Sequence, residues 1–525
     1  MSVIVGGKKY HIALTSGGVT YGFMIRKGSD TRRRLGDWSP NYSSGDDQFA
    51  EGTWRPVSWT DFRGGVGQER YDNAAQNKIY TAQDAETRLK GRLTLGGRWI
   101  SSDAAQVATA NIVDYAGNLY VPCGTYLRKY SVGTSTWSNV NASAFGANIS
   151  HLLVDGSLLF IALGSSVDAQ KWDGSSLTVL TGFKATCFAS WSGKLWRALA
   201  NNIYSSADAG ATWSAAVAIG SSATNINGMR PYAGKLYCIK DDGLWETDGT
   251  AANTLLKLDF SHQAYAGNGK HPVEWGGYLW FSILRRVIQY STTTWNDRTP
   301  EITGDANKEL YGFGMPIMFL DLPNVLAVAF AGGENQYANL MAYNGQGWHQ
   351  LYGPTVATMN ACGYSRAKDW LIVNDGATRY QAQIAQADTC TADYVASATV
   401  VLPWFDGGYP WFKKGARSVV IESRDCTATE TVAISYRKDN ETGWTALGST
   451  VVSSTAPAEI SLDATAGAIE FYKIQLKAVL ARDAADVTKR PTVTNLTLRY
   501  MNRPTAVHAY NVEVRLSGRQ RTLVA

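Results

Sequence analysis

The chain has 525 residues, 45% hydrophobic and 18% charged, and its 49 basic and 44 acidic side chains leave a formal net charge of +5. That length exceeds one ordinary core, so more than one domain is expected. So small a net charge argues against a protein built to hold nucleic acid, and no apolar run approaches the ~20 residues needed to span a bilayer. The 51 glycines, 18 tryptophans and 27 tyrosines against 14 prolines suit many turns between aromatic-faced strands. Runs with the period of a buried helix are hard to find, and the composition reads as all-β.

Residues 1–104 share no repeat with the middle of the chain and read as an extended N-terminal arm. The arm carries Trp38, Trp54, Trp59 and Trp99, a basic run at Arg32–Arg34, and short strand patterns at Thr20–Ile25 and Gly91–Leu95. It has too few periodic apolar residues for a core of its own. Its indoles are therefore expected to bury against the rest of the chain or a neighbouring subunit. The basic run reads as a solvated or partner-facing loop, and Gly64-Gly65-Val66-Gly67 as a flexible turn, since it lacks the residues of a phosphate-binding loop.

Residues 105–390 repeat. A small residue, a polar residue, Leu and an aromatic recur at Gly117-Asn118-Leu119-Tyr120, Gly156 to Phe160, Gly193-Lys194-Leu195-Trp196, Gly234-Lys235-Leu236-Tyr237 and Gly277-Tyr278-Leu279-Trp280. Looser copies stand at Pro323 to Leu326 and Lys368 to Leu371, and successive starts are 39, 37, 41, 43, 46 and 45 residues apart. A period of ~40–45 residues matches one four-stranded blade, so this region is expected to form a β-propeller of about seven blades. The glycine takes the tight turn, the Leu-aromatic pair opens a strand that packs between blades, and a strand from an end of the repeat region completes one blade.

One turn is sharper than the rest. Ser206-Ala207-Asp208-Ala209-Gly210-Ala211-Thr212-Trp213 spells Ser-x-Asp-x-Gly-x-Thr-Trp. It resembles the Asp-box of sialidases and related propellers. In such a hairpin, here Ser206, Asp208, Gly210, Thr212 and Trp213, the Asp208 carboxylate can accept backbone N–H bonds within the turn, Gly210 supplies the left-handed residue, and Trp213 pins the turn to the blade. In families that carry it the motif lies on the rim, so it implies fold rather than activity.

Residues 391–525 alternate apolar and polar at Ser418–Glu422, Thr431–Tyr436, Ala458–Leu462, Ile469–Leu476 and Thr494–Tyr500, with a further strand from Tyr510 to Leu516. Strands of this kind with turn signals between them predict a C-terminal antiparallel β-sandwich and terminal strand. The arm segments Trp59 to Gln68 and Glu86 to Gly91, with the sandwich segment from Lys413-Lys414 through Tyr436 to Asp439 and from Trp444 to Leu476, resemble bacteriophage tail virion proteins. That resemblance implies a structural component of the tail tip, baseplate or fibre that contributes to host recognition. Its partners would be other tail proteins, further copies of itself within the tail, and a host-surface glycan.

Catalytic chemistry does not emerge from the sequence. The nearest match to a sialidase's early Arg motif, Phe23-Met24-Ile25-Arg26, has the wrong order and no proline. The alternative reading, a propeller-based glycan-binding protein or sialidase-like glycoside hydrolase, would need arginines or acids converging on the axis. Asp241, Asp242, Glu246 and Asp248 read as turn acids. Histidines 11, 151, 262, 271, 349 and 508 have no metal-ligand spacing and read as surface or hydrogen-bonded residues. No catalytic residue, cofactor or metal is expected, and no nucleic-acid partner. The six cysteines, at 123, 187, 238, 362, 390 and 426, contain no C-x-x-C pair and read as free, mostly buried thiols made in a reducing host cytoplasm. With no apolar leader at its N-terminus, the protein is expected to reach the virion by assembly rather than secretion.

Overall fold

The computed structural model describes residues 3–5, 8–10, 12–16, 19–25, 55–68, 70–71, 77–104, 108–250, 253–257, 267–300, 313–332, 339–353, 359–366, 368–375, 378–383, 393–462, 469–503 and 512–515. Every regular element among them is a strand. Seven four-stranded antiparallel sheets occupy residues 113–139, 151–185, 187–218, 226–257, 273–297, 313–352 and 359–383, here blades 1 to 7. The first six are consecutive meanders. Blade 7 contains only three strands from its own segment, and its outermost strand is Ile100–Ala104, paired with Thr378–Gln383.

The first strand of each blade contacts the first strand of the next, from Val113–Tyr115 round to Met359–Ser365, which returns to Val113–Tyr115. The ring is closed. The expected propeller is present, and the strand that completes a blade comes from upstream of the repeat.

The repeat's dipeptide explains the packing. Adjacent residues in a strand point to opposite faces, so each Leu-aromatic pair serves two blade interfaces. Tyr120 shares a core cluster with Leu159, Phe160 with Leu195, Trp196 with Leu236, Tyr237 with Leu279, and Trp280 with Leu326. The circuit ends with Ala327, Leu371, Ile372 and Leu119 in one cluster. The hairpins before these strands hold two left-handed residues at 116–117, 192–193, 233–234 and 276–277, with Ala116 at φ 47° and Gly117 at φ 72°. Such a turn matches the twist of the strands it joins.

The rest of the chain is a sandwich of two seven-stranded sheets around one core. The first sheet is built on Lys413–Arg424 and Thr492–Arg503, and the second on Thr431–Lys438 and Ile474–Ala481. Five strands from the segment expected to be an arm belong to these sheets. Arg55–Trp59, Ala85–Glu86 and Leu93–Leu95 join the first, while Arg70–Tyr71 and Thr81–Gln83 join the second. These five strands are thus part of the sandwich fold rather than an arm laid over it. They are too short to show a period, and their apolar side chains complete a core owned by residues 398–500.

Trp59 lies in that core at 4% exposure. Trp99 packs at 4.6 Å on Tyr352 and donates Nε1–H to Leu351 O at 3.2 Å. Trp38, Trp54 and Arg32–Arg34 lie outside the described residues. Val19–Ile25 pairs with Val512–Arg515, so segments near both ends of the sequence share a sheet. The cysteines at 123, 187, 238, 362 and 426 are free and buried, and Cys390 lies outside the described residues.

Gly64-Gly65-Val66-Gly67 is not a flexible turn. Gly65–Val66 pairs in parallel with Lys78–Ile79, and Arg63 O accepts a bond from Asn344 Nδ2 at 2.9 Å. A Cβ on Gly65, whose φ is 77°, would lie 2.3 Å from Trp348 O, and one on Gly347 would lie 1.8 Å from Gly64 O. These glycines let blade 6 and the sandwich meet backbone to backbone. Gly65→Ala should lower unfolding stability by at least ~2 kcal/mol, combining backbone strain with a clash that cannot relax. Gly117→Ala, at a left-handed turn facing open space, should lose only about 1 kcal/mol. Urea denaturation midpoints for the two variants check this, and equal losses would remove the junction from the account.

Candidate functional site

The first strands of the seven blades surround an axial cavity of about 1410 Å³. Charged side chains do converge there: Asp114, Arg230, Lys270, Glu274, Asp321 and Arg366 line it. Arg366 reaches Asp321 at 3.5 Å, and its backbone N–H donates to Asp114 Oδ2 at 2.5 Å. Burial lowers the pKa of Arg230, opposed by the charges of Glu274 and Asp321. Acids and cations therefore balance around the axis.

Two imidazoles stack in the same cavity. His151, on the first strand of blade 2, lies 5.7 Å from His271, before the first strand of blade 5, with ring planes 10° apart. His151 Nδ1 accepts the Phe188 N–H at 3.4 Å. His271 Nδ1 is buried with no partner, and His271 sits at a left-handed φ of 50°. Burial pushes His151 down to about 4, with Arg230 adding to the effect. His271 is pushed well below the usual histidine range by burial, then by His151 and Lys270. His271 is thus a half-buried histidine whose buried Nδ1 makes no hydrogen bond. Sequence spacing could not show this, because the partners are 120 positions apart and meet only across a closed ring.

His349 is 1% exposed, with Nδ1 at 2.6 Å from Thr87 Oγ1 and Nε2 at 3.2 Å from Arg63 O, and burial places it at about 4. Positions 11, 262 and 508 lie outside the described residues.

The turn at 206–213 links the third and fourth strands of blade 3. Asp208 Oδ1 accepts the Thr212 N–H at 2.9 Å and the Ser206 hydroxyl at 2.7 Å, while Oδ2 accepts the Thr212 hydroxyl at 2.6 Å. Ser206 Oγ accepts the Gly210 N–H at 2.8 Å. Gly210 is left-handed at φ 85°, and so is Ala209 at 55°. Trp213 donates Nε1–H to Gly210 O at 3.2 Å and lies against Phe183 and Phe188. The Thr212 hydroxyl and amide and the Ser206 hydroxyl hold Asp208 well below the usual carboxylate range. Asp173 accepts two amides, from Ser175 and Ser176, in the corresponding turn of blade 2.

The other turn acids are likewise engaged locally. Asp242 pairs with buried Lys240 at 3.3 Å, Asp241 accepts bonds from Asn227 and Asn268, and Asp248 accepts the Thr250 amide. Among the described residues no group of three or more His, Cys, Asp and Glu side chains is arranged to hold a metal.

The strand pairing identifies the fold. The chain carries a β-propeller. No protein-family model matches it, and no curated protein sequence matches it. Among solved structures it is similar to YCF48 bound to D1 peptide, at 14% identity over 55% of this chain and 97% of that one, with a TM-score of 0.40. The RRP9 WD40 repeats match at 10% identity over 55% of this chain and 99% of theirs, with a TM-score of 0.41. The extracellular domain of a putative one-component system from B. thetaiotaomicron matches at 11% identity over 75% of this chain and 60% of that one, with a TM-score of 0.43.

Two outcomes test this geometry. Asp208→Ala should lower the melting temperature, and Asp208→Asn, which retains one acceptor, should fall between it and the parent; equal melting of all three would discard the turn's bonds. The second concerns pH. Histidines 151, 271 and 349 have folded pKa values below the unfolded value of ~6.5, so the unfolded state takes protons first. Their contribution to stability is complete above about pH 6.5 and is lost as pH falls toward ~4. Melting temperatures across that window should drop, and His271→Asn, which tolerates the left-handed φ, should make the drop shallower. An unchanged slope would contradict the buried-neutral assignment.

Proposed function

We propose that this chain is a structural, non-catalytic component of a bacteriophage tail, one that contributes to host recognition within an assembly of tail proteins and further copies of itself. The observation that supports this reading is how the chain is fastened. Five strands between Arg55 and Leu95 join the sandwich sheets, Ile100–Ala104 closes the propeller, and Val19–Ile25 pairs with Val512–Arg515. A wheel closed by an upstream strand and joined backbone to backbone with a sandwich resists separation, which suits a passive load-bearing part. The resemblance of both flanks to tail virion proteins points the same way. We read the Ser206–Trp213 turn as an Asp-box that rigidifies the rim, with no role in a reaction.

A second reading, a glycan-binding propeller, draws on Asp114, Arg230, Glu274, Asp321 and Arg366 around the axis. Their partial self-neutralisation makes it the weaker of the two. Gold-labelled antibody to this chain on lysate particles tests the first reading. Label at the tail end of the particles is expected; label absent from particles, with the chain left in the particle-free fraction, would overturn it.

A further inference from the structure

The outer face of the second sandwich sheet carries an arrangement that neither the propeller nor a load-bearing role requires. Lys473, Trp404, Arg437, Trp444 and Lys477 alternate as a ladder. Lys473 Nζ lies 4.7 Å from the centre of the Trp404 ring system, and the Arg437 guanidinium carbon lies 5.0 Å from the same ring. That guanidinium carbon is 4.7 Å from Trp444, and Lys477 Nζ is 4.7 Å from Trp444 on its own account. Strand alternation places the ladder outward. Ile434, Leu476, Ala478 and Leu480 enter the core, so Arg437, Gln475 and Lys477 stand on the opposite face, where Gln475 is buried and Arg437 and Lys477 are half-buried. The middle rung is fixed: Arg437 Nε donates to Gln475 Oε1 at 2.7 Å, and Gln475 Nε2 donates to Leu402 O at 2.9 Å.

Among the described residues no carboxylate forms an ion pair with any of the three cations. The nearby acids are occupied elsewhere. Asp439 accepts the backbone N–H groups of Tyr472 and Lys473 at 2.7 and 3.1 Å, Glu441 accepts that of Lys438 at 3.1 Å, and Glu470 pairs with Lys413 at 3.3 Å. Burial lowers the pKa of Lys477, and the charge of Arg437 lowers it further, as expected for like charges held together. An anion would relieve that repulsion.

An aromatic ledge continues from the ladder. Trp411 is 65% exposed and Tyr472, next to Lys473, is 43% exposed. Buried Lys414 ties them together by donating to Tyr409 O at 2.7 Å, Phe412 O at 2.7 Å and Tyr472 O at 3.0 Å.

We propose that this ladder and ledge form a binding site for an acidic polysaccharide, whose sugar rings pack on the exposed Tyr472 and Trp411 while its carboxylates meet Lys473, Arg437 and Lys477, the cations that Trp404 and Trp444 hold in place. An exposed aromatic ring favours the C–H face of a sugar, and cations held beside it favour a charge attached to that sugar. Three cations flanked by Asp439, Glu441 and Glu470 suit a polymer with intermittent carboxylates better than a nucleic acid with a phosphate at every nucleotide. The site stands on this surface alone and does not depend on the tail assignment.

The test uses the full chain on immobilised hyaluronan and polygalacturonate, with neutral dextran and oligo(dT) as comparisons. Binding to at least one acidic polysaccharide is expected, with little to dextran and weakening as salt rises. The double variant Lys473→Ala, Lys477→Ala should lose at least ~10-fold in affinity while melting close to the parent, because both ammonium groups sit at the ladder's ends. Trp444→Ala should lose binding as well. No binding to either acidic polymer, equal binding to dextran, tighter binding to oligo(dT), or a double variant that binds like the parent would each overturn the proposal. The last result, accompanied by a lower melting temperature, would make the ladder purely structural. None of these outcomes bears on where labelled antibody finds the chain in a particle.

Discussion

A residue pair that faces two ways sets the whole wheel. Each Leu-aromatic dipeptide sends Leu to one neighbouring blade and its ring to the other, so no blade completes its core alone. Stability is therefore shared around a circuit, and a circuit must be closed. Where the aromatic is missing, at Ala327 in blade 6, the neighbouring interface merges into a wider cluster spanning blades 6, 7 and 1. That is also where the chain enters and leaves the ring, through Ile100–Ala104 and the strands of blade 7.

Closure by an upstream strand dictates the rest of the architecture. The strands between Arg55 and Leu95 must lie within reach of both blade 7 and the strands that come after it. They are held there by pairing inside the sandwich, as in Arg55–Trp59 against Thr492–Arg503. The junction leaves no room for side chains, so Gly65 and Gly347 are required where blade 6 meets the sandwich. Polar groups trapped there are paired across the two parts, as Thr87 with His349 and Arg63 O with Asn344.

The two charged features of the molecule differ in kind. Around the axis, three acids and three cations line one cavity, Arg366 pairs with Asp321, and burial lowers the pKa of the stacked His151 and His271. On the sandwich face the three cations lie over rings, Arg437 also donates to Gln475, and among the described residues no carboxylate pairs with them. A self-compensated site has less to gain from a ligand than an uncompensated one, because a ligand at the axis must displace existing partners.

The sequence by itself determined the propeller and the position of its blades, because a repeat of Gly, polar, Leu and aromatic at nearly constant spacing reports local turn geometry and two-faced packing. It also determined the turn at 206–213, whose partners all lie within a few residues of Asp208. The C-terminal strands at 418–422, 431–436 and 494–500 were legible for the same reason: alternation is a local property. Only the tertiary structure decided the fate of residues 55–95, whose short strands take their register from partners some 400 positions away, as Leu93 does from Val493. Only it brought His151 to His271 across the ring, and Trp404, Trp444 and their three cations onto one face. Such contacts belong to sheet order and ring closure, which no local pattern of residues encodes.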